Sequence, residues 1–258
     1  MLILLPPSEG KWTPRRGKRL DIEALSYPAL HATREALLAS LVQLCRDDPV
    51  RAQAALGLSP GQTTDVERNA GLLSAPTSAA GRIYTGVLYD ALGLATLTPA
   101  ARRRAATRVA VSSALFGLVR LGDRIPSYRL PGSATLPGIG TLARAWRRPL
   151  GEVLAAEAAR TLVVDLRSTT YAAFWRPPPG SRLNVVSVRV LQDTDGERTV
   201  VSHLNKATKG RLVASLLEDG ANPGSVRALA LDLSRLGWQV EWDGDQPRRL
   251  DVIVSHPS

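Results

Sequence analysis

The sequence predicts one mixed α/β domain, residues 1–258, with a central mixed sheet flanked by helices. Three observations predict it. Short apolar stretches of strand length alternate with segments of helical period from one end of the chain to the other. No internal repeat or low-complexity linker divides them, and the proline-rich piece 176–179 is long enough only for a turn. The composition, 44% hydrophobic and 22% charged over 258 residues, is that of a globular chain able to bury a full core.

Taken in order, Met1–Leu5 reads as a buried strand ended by Pro6 and Pro7. Residues 8–20 form a polar, basic loop carrying Lys11, Arg15, Arg16, Lys18 and Arg19. From 29 to 45, Leu30, Leu37, Leu38, Leu41, Leu44 and Cys45 keep helical spacing, which places Cys45 in the core. Residues 49–70 read as a weakly broken helix, and 81–94 as a Tyr-Thr-Gly turn with a short helix. Pro99 suits the first turn of a helix through Arg108. Periodicity leaves 109–115 open between strand and buried helix. A helix is predicted near 149–160 and an apolar strand at 161–166. Residues 183–192 and 198–203 read as strands joined by Asp-Thr-Asp-Gly, a hairpin signal. Helices follow at 205–218 and 225–236, then a closing strand pair, 238–242 with 250–255.

The charge balance points to a polyanion. Thirty-three Lys and Arg stand against 23 Asp and Glu, a net charge of +10 and a pI near 10.6. Arg far outnumbers Lys, which a GC-rich genome alone would favour. One cysteine excludes an internal disulfide and a cysteine-rich zinc site. The three histidines, His31, His203 and His256, lack metal-ligand spacing, so no metal or cofactor is expected. The run at 1–5 is too short for a signal-peptide core, and no run reaches the roughly 20 apolar residues of a membrane span. A cytoplasmic protein without membrane contact is expected.

The segment Leu136-Pro-Gly-Ile-Gly-Thr-Leu-Ala143 carries the strongest local signal. A turn built from Pro137, Gly138 and Gly140 between helix-competent flanks resembles a helix-hairpin-helix, whose backbone N–H groups grip a nucleic-acid phosphate. The same letters fit a dinucleotide fingerprint, but Pro131-Gly-Ser-Ala-Thr-Leu-Pro137 cannot supply the strand that motif needs. In Asn205-Lys-Ala-Thr-Lys209, Asn205 is a candidate N-cap. Lys206 and Lys209 then share one face of the first turn, where cations oppose the helix dipole and N–H groups favour an anion. Ser8-Glu-Gly-Lys11 follows the first strand, where α/β folds place ligands, but lacks the full P-loop pattern. Residues 120–129 gather Arg120, Asp123, Arg124, Tyr128 and Arg129. Asp165 lies 25 residues after Gly140, a spacing also found in base-excision glycosylases, whose remaining helical fold is absent. Ser202-His203 lacks a partner acid or a nucleophile elbow, so hydrolase chemistry is weakly supported.

Together the segments Met1–Lys11, Tyr84–Gly86, Ser113–Gly117 with Leu118–Arg120 and Asp123, Tyr128–Leu130, Trp146, Val164–Ser168 with Tyr171, and Ser202–Gly210 resemble the YaaA peroxide-stress protein family, in its actinobacterial type, over nearly the whole chain. The resemblance implies a fold of the family's own, with a helix-hairpin-helix element and a positively charged cleft. It implies DNA binding, including non-standard duplexes, and protection against hydrogen peroxide with less oxidative DNA damage. It implies no cofactor and no settled reaction. The cleft positions carry over to Ser8, Lys11, Tyr84, Thr85, Gly86, Ser113, Arg120, Asp123, Tyr128, Arg129, Ser168, Lys206 and Lys209. One departure is Ala114, where the family usually has Gly.

Two functions compete. In the first, a DNA-binding stress protein contacts phosphates through Lys11, Lys206, Lys209 and its arginines, with Gly138 and Gly140 presenting N–H groups. In the second, an enzyme acts on a small anionic or nucleotide-like substrate, with Lys11, Asp123 and Lys206 as catalytic candidates. Direct iron handling would rest on carboxylates alone, and no spaced set is present.

Overall fold

The computed structural model describes residues 1–59, 61–194, 197–199, 202–243 and 248–255. The chain opens with β1 (Leu2–Leu5) and, after a long loop, runs through α1 (His31–Asp47), α2 (Pro49–Ala55) and α3 (Thr63–Ala70). β2 (Thr77–Ala79) leads into α4 (Ala80–Ile83), α5 (Val87–Leu92) and α6 (Pro99–Arg108). β3 (Val109–Ser113), β4 (Gly117–Arg120) and β5 (Arg124–Pro126) follow, then β6 (Thr135–Leu136) and β7 (Gly140–Thr141) ahead of α7 (Leu142–Arg160). The last third holds β8 (Val163–Asp165), α8 (Thr169–Ala172), β9 (Val185–Thr194), β10 (Glu197–Thr199), α9 (Ser202–Asp219), α10 (Val226–Arg235), β11 (Gln239–Trp242) and β12 (Arg249–Ser255).

Eight strands make one mixed sheet, ordered β11-β12-β9-β8-β1-β3-β4, with β10 paired to β9. β12, β9, β8, β1 and β3 are mutually parallel, and the edges β11 and β4 are antiparallel. β1 lies inside this sheet, and all four of its residues are buried. That is why it reads as an unbroken apolar run rather than an alternating one. Because β1, β3 and β8 run the same way, Pro6, Ala114 and Leu166 all leave the sheet at one end. That end of a parallel sheet is where α/β folds place ligands.

Several expected elements appear where the sequence put them. α6 starts at Pro99 behind Thr98, whose hydroxyl accepts from the Ala101 N–H at 3.2 Å. Cys45 is buried on the apolar stripe of α1, and burial raises its thiol pKa, so it is a core residue. The broken helix at 49–70 is α2 and α3, and 109–113 resolves as strand β3.

Other elements differ. Thr135–Leu136 and Gly140–Thr141 pair as a β-hairpin, so the expected helix on the N-terminal side of the glycine turn is replaced by a strand. Gly138 and Gly140 do take positive φ, 69° and 82°, and the Ser40 hydroxyl donates to Pro137 O at 2.9 Å, anchoring the turn to α1. The helical flank expected after the glycine turn and the helix expected near 149–160 are one continuous α7, which runs through Pro149 and gives up one backbone bond. Its buried face of Trp146, Leu150 and Leu154 holds it in the core. α9 begins at Ser202, so Asn205 is no N-cap and Lys206 and Lys209 lie beyond the first turn. β10 is correspondingly shorter than the expected strand 198–203. Asp195 and Gly196 of the hairpin loop, the side chains of Ser202 and His203, and His256 lie outside the described residues. Among those residues, no helix is long and apolar enough to cross a membrane.

α9 packs against α5, and Gly210 sets the distance. A Cβ there would stand 2.2 Å from Leu88 O and 2.9 Å from both the Ala91 Cβ and Leu92 N. In an open helix Gly→Ala stabilises by about 1 kcal/mol. Here backbone must move, and overpacking costs about 1–3 kcal/mol, which offsets that gain. Gly210→Ala is therefore expected to lower stability by up to about 2 kcal/mol in urea denaturation; a stabilised variant would show that the two helices are not in close contact.

Candidate functional site at the carboxyl ends of β1 and β3

The loop leaving β1 folds back on itself within a few residues. The Ser8 hydroxyl donates to Gly10 O at 2.6 Å and accepts from the Thr85 N–H at 3.1 Å. The Thr85 hydroxyl donates to Gly10 O at 3.3 Å, and Lys11 and Tyr84 form an isolated antiparallel bridge. Gly86, at φ 90°, then turns the chain into α5. These contacts fold the Lys11 side chain inward. Its Nζ donates to Ser8 O at 2.9 Å and Glu9 O at 3.4 Å. It lies 4.4 Å from the Tyr128 ring centroid and 5.8 Å from that of Tyr84. Burial, reinforced by the Arg129 guanidinium, pushes its pKa down to about 7 against the weaker pull of Asp65 and Glu9.

The two rings under the amine carry hydroxyls that form a buried row with that of Ser113. Ser113 Oγ is 2.7 Å from the Tyr128 hydroxyl, which is 3.1 Å from that of Tyr84. Ser113 Oγ also accepts from the Phe116 N–H at 3.0 Å. All three side chains are 2% exposed or less, and burial raises both tyrosine pKa values, so these phenols are neutral proton donors. The turn after Ser113 needs no glycine: Ala114 is buried, its carbonyl accepts from the Trp146 indole at 2.8 Å, and its φ is not positive. The Ala114 departure leaves this turn intact.

Arg129 is held beside Lys11 by Asn69, which accepts from the Arg129 N–H at 3.0 Å and donates to its carbonyl at 2.7 Å. Its guanidinium is 3.8 Å from the highly exposed Glu9 carboxylate, a weak pair, while its Nε is buried without a partner. Lys209 is buried and donates to Leu166 O at 3.0 Å, tying α9 to the exit of β8. Burial lowers its pKa. Asp165 takes two bonds from the Arg167 guanidinium, at 2.8 and 2.7 Å, and one from its N–H. Arg167 also binds the Tyr171 and Trp175 carbonyls. Asp165 is thus committed to structure.

The remaining expected residues lie elsewhere. β4 pairs antiparallel with β3, so Ser113 faces Gly117 while Arg120 faces Ala110. At about 3.3 Å per residue, that register sends Arg120 roughly 10 Å toward the amino ends of the parallel strands. There it donates to Thr107 O at 2.6 Å and stands 3.6 Å from Glu157. Asp123 accepts from the Ser26 N–H and hydroxyl and the Arg120 N–H, so its carboxylate is filled by its own neighbourhood. Ser168 is exposed at the start of α8, Lys206 is exposed on α9, and Gly138 and Gly140 belong to the hairpin on α1. Asn69 was not singled out from the sequence, and Glu9 and Tyr171 entered only as parts of the matching segments. Asn69 had one usable signal, a polar residue on the buried face of a short helix.

Past Lys11, the loop runs through Arg15, Arg16, Lys18 and Arg19, all exposed, with no acidic residue between Lys11 and Leu20. It is pinned where Lys18 O accepts from the Thr77 N–H and hydroxyl, at 2.9 and 2.8 Å. Exposed Arg82 lies over the Trp12 ring, 5.2 Å away. A second arginine group sits in a cavity of about 540 Å³ on the far strands, but there Arg189 and Arg249 pair with Asp251, and Arg198 with Glu241. Among the described residues, no group of three or more His, Cys, Asp or Glu is placed to hold a metal ion.

Fold and site together define a mixed-sheet protein with a half-buried lysine over paired tyrosines at the carboxyl end of its central strand. The family described as peroxide stress protein YaaA matches residues 1–241. A UPF0246 protein of Streptomyces coelicolor is 50% identical over 98% of this chain and 98% of its own length. One of Corynebacterium efficiens is 40% identical over 98% of this chain and 100% of its own. One of Ruegeria sp. (strain TM1040) is 33% identical over 55% of this chain and 59% of its own. The chain belongs to the YaaA peroxide stress protein family.

Two measurements probe this site. Tyr128→Phe removes both hydroxyl contacts and strands two buried partners, so it should destabilise by about 1–3 kcal/mol in chemical denaturation. No change would mean the row is not hydrogen-bonded. For Lys11, the folded pKa near 7 lies below the ordinary lysine value of 10.5, so the unfolded chain binds more protons between them. Its unfavourable contribution is full below pH 7 and fades as pH rises toward 10.5. Lys11→Met should flatten the rise of stability across that window; parallel pH profiles would contradict the depressed value.

Proposed function

We propose that this protein acts in peroxide stress, in the cytoplasm, by binding DNA through its phosphate backbone and so limiting oxidative damage to it. The observation that carries the reading is the pinned basic loop. Arg15, Arg16, Lys18 and Arg19 are exposed side by side and continue directly into Lys11 and its neighbour Arg129. A net charge of +10 supplies the long-range attraction. The far arginines are neutralised by their own carboxylates and add little. Lys206 extends the cationic surface on α9. Backbone contacts carry no base readout, so many sequences should bind alike.

A second reading, an enzyme acting on a small anionic or nucleotide-like substrate, is favoured by the half-buried amine and the buried hydroxyl row. Neither is needed for phosphate contact alone. Asp123, a catalytic candidate on sequence, accepts three hydrogen bonds from Ser26 and Arg120, which speaks for a structural part.

Duplex affinity across a salt series tests the first reading. Each cation that meets a phosphate contributes about 0.9 to the slope of log K against log salt. Replacing Arg15, Arg16, Lys18 and Arg19 by glutamine should lower the slope by about 2–4 and weaken binding at least tenfold near 0.1 M salt. Unchanged slope and affinity would remove the loop from the interface, and absence of binding by the unaltered protein would end the reading.

A further inference from the structure

Of the 33 basic side chains, four are lysines, at 11, 18, 206 and 209. The other 29 are arginines, whose guanidinium does not lose its proton. Two of the four lysines, Lys11 and Lys209, are withdrawn from solvent at the carboxyl end of the parallel strands. Lys209 spends its amine on the Leu166 carbonyl. Among the described residues, the Lys11 amine meets the carbonyls of its own loop and two ring faces.

The buried hydroxyl row carries a hydrogen to spare. Three hydroxyls supply three hydrogens, and two contacts join them. The Phe116 N–H occupies an acceptor position on Ser113 Oγ. One hydroxyl hydrogen of the row is therefore left to donate elsewhere. Beside the amine, Arg129 Nε is buried and unpartnered. An amine able to shed its proton, a buried row able to give and take protons, and a guanidinium with an unused donor suit a phosphate-flanked carbonyl carbon.

Resting on the DNA reading above, we propose that Lys11 forms a covalent imine with the C1 aldehyde of an abasic deoxyribose in DNA. The neutral Nζ lone pair forms a C–N bond to the aldehyde carbon, and the carbonyl π pair moves onto oxygen, which takes a proton from the hydroxyl row. The nitrogen returns a proton to the row. A second proton, taken from solvent water, lets the hydroxyl leave as water, and the nitrogen lone pair closes the protonated imine. Aldehyde, neutral amine and one solvent proton give protonated imine and water, with no oxidant or reductant. Arg129 holds the adjoining phosphate. An abasic nucleotide has no base to unstack, so it swings out of the duplex more readily than an intact one.

The test is borohydride trapping at pH 7. The full chain is incubated with a duplex containing one abasic site, reduced, and resolved on a denaturing gel, while a native gel gives the fraction bound. Peptide mass spectrometry locates the adduct. The expected result is a covalent complex at Lys11, falling at least 100-fold per bound duplex in Lys11→Arg and at least tenfold in Tyr128→Phe. Mapping on the unaltered protein does not depend on either variant folding. Binding of the abasic duplex without an adduct, or adducts at Lys18 or Lys206 in place of Lys11, overturns the proposal and leaves the DNA reading standing. An adduct at Lys11 with free glyoxylate but none with abasic DNA also overturns it, moving the site to small carbonyl compounds. Failure to bind intact and abasic duplex alike overturns both.

Discussion

The placement of one amine constrains everything around it. Moving an ammonium out of water costs several kcal/mol. Lys11 has no carboxylate in contact to offset that, only one good carbonyl bond, one long one and two aromatic faces. A charged donor's bond contributes about 1.5–3 kcal/mol, and cation–π contact about 0.5–2. Gain and penalty are of similar size, so the proton is held loosely near neutrality. An exposed or carboxylate-paired lysine would not be in that position.

The fold keeps the amine there through three kinds of constraint. The parallel strands β1, β3 and β8 bring the Lys11 loop, Ser113 and Leu166 to one end of the sheet. The Ser8–Thr85 contacts and the Lys11–Tyr84 bridge fix the loop's path. Asn69 and Arg167, both buried, fix the segments on either side with bonds to backbone. Arg167 pairs with Asp165, whose carboxylate still pulls the Lys209 pKa upward against the larger effect of burial.

Much of the fold was legible because local chemistry agreed with it. The Thr98–Pro99 start of α6, the apolar stripe of α1 and the unbroken run of β1 each follow from short-range rules. The site was legible in part. Ser8, Lys11, Tyr84, Thr85, Ser113, Tyr128 and Arg129 do converge, and Lys209 lies at the same end of the sheet. Arg120 and Asp123 do not, because their destination depends on the register of β4 against β3, which no local pattern encodes. The glycine turn misled for a related reason. Positive φ at Gly138 and Gly140 serves a β-hairpin as well as a helical one, and only the flanking pairing decides. Asn205 looked like a cap because the three residues before it are equally compatible with strand and helix.

The arginines and lysine of the loop after Lys11 are exposed, whereas the Lys11 amine is folded back on its own loop and its pKa is lowered by burial. The central claim is that they differ in kind, and four lysines make it directly measurable. In protein labelled with 15N at lysine Nζ, the Lys11 resonance should titrate with a midpoint near 7, well below the ordinary lysine value of 10.5. A Lys11 midpoint above 10 would contradict the account.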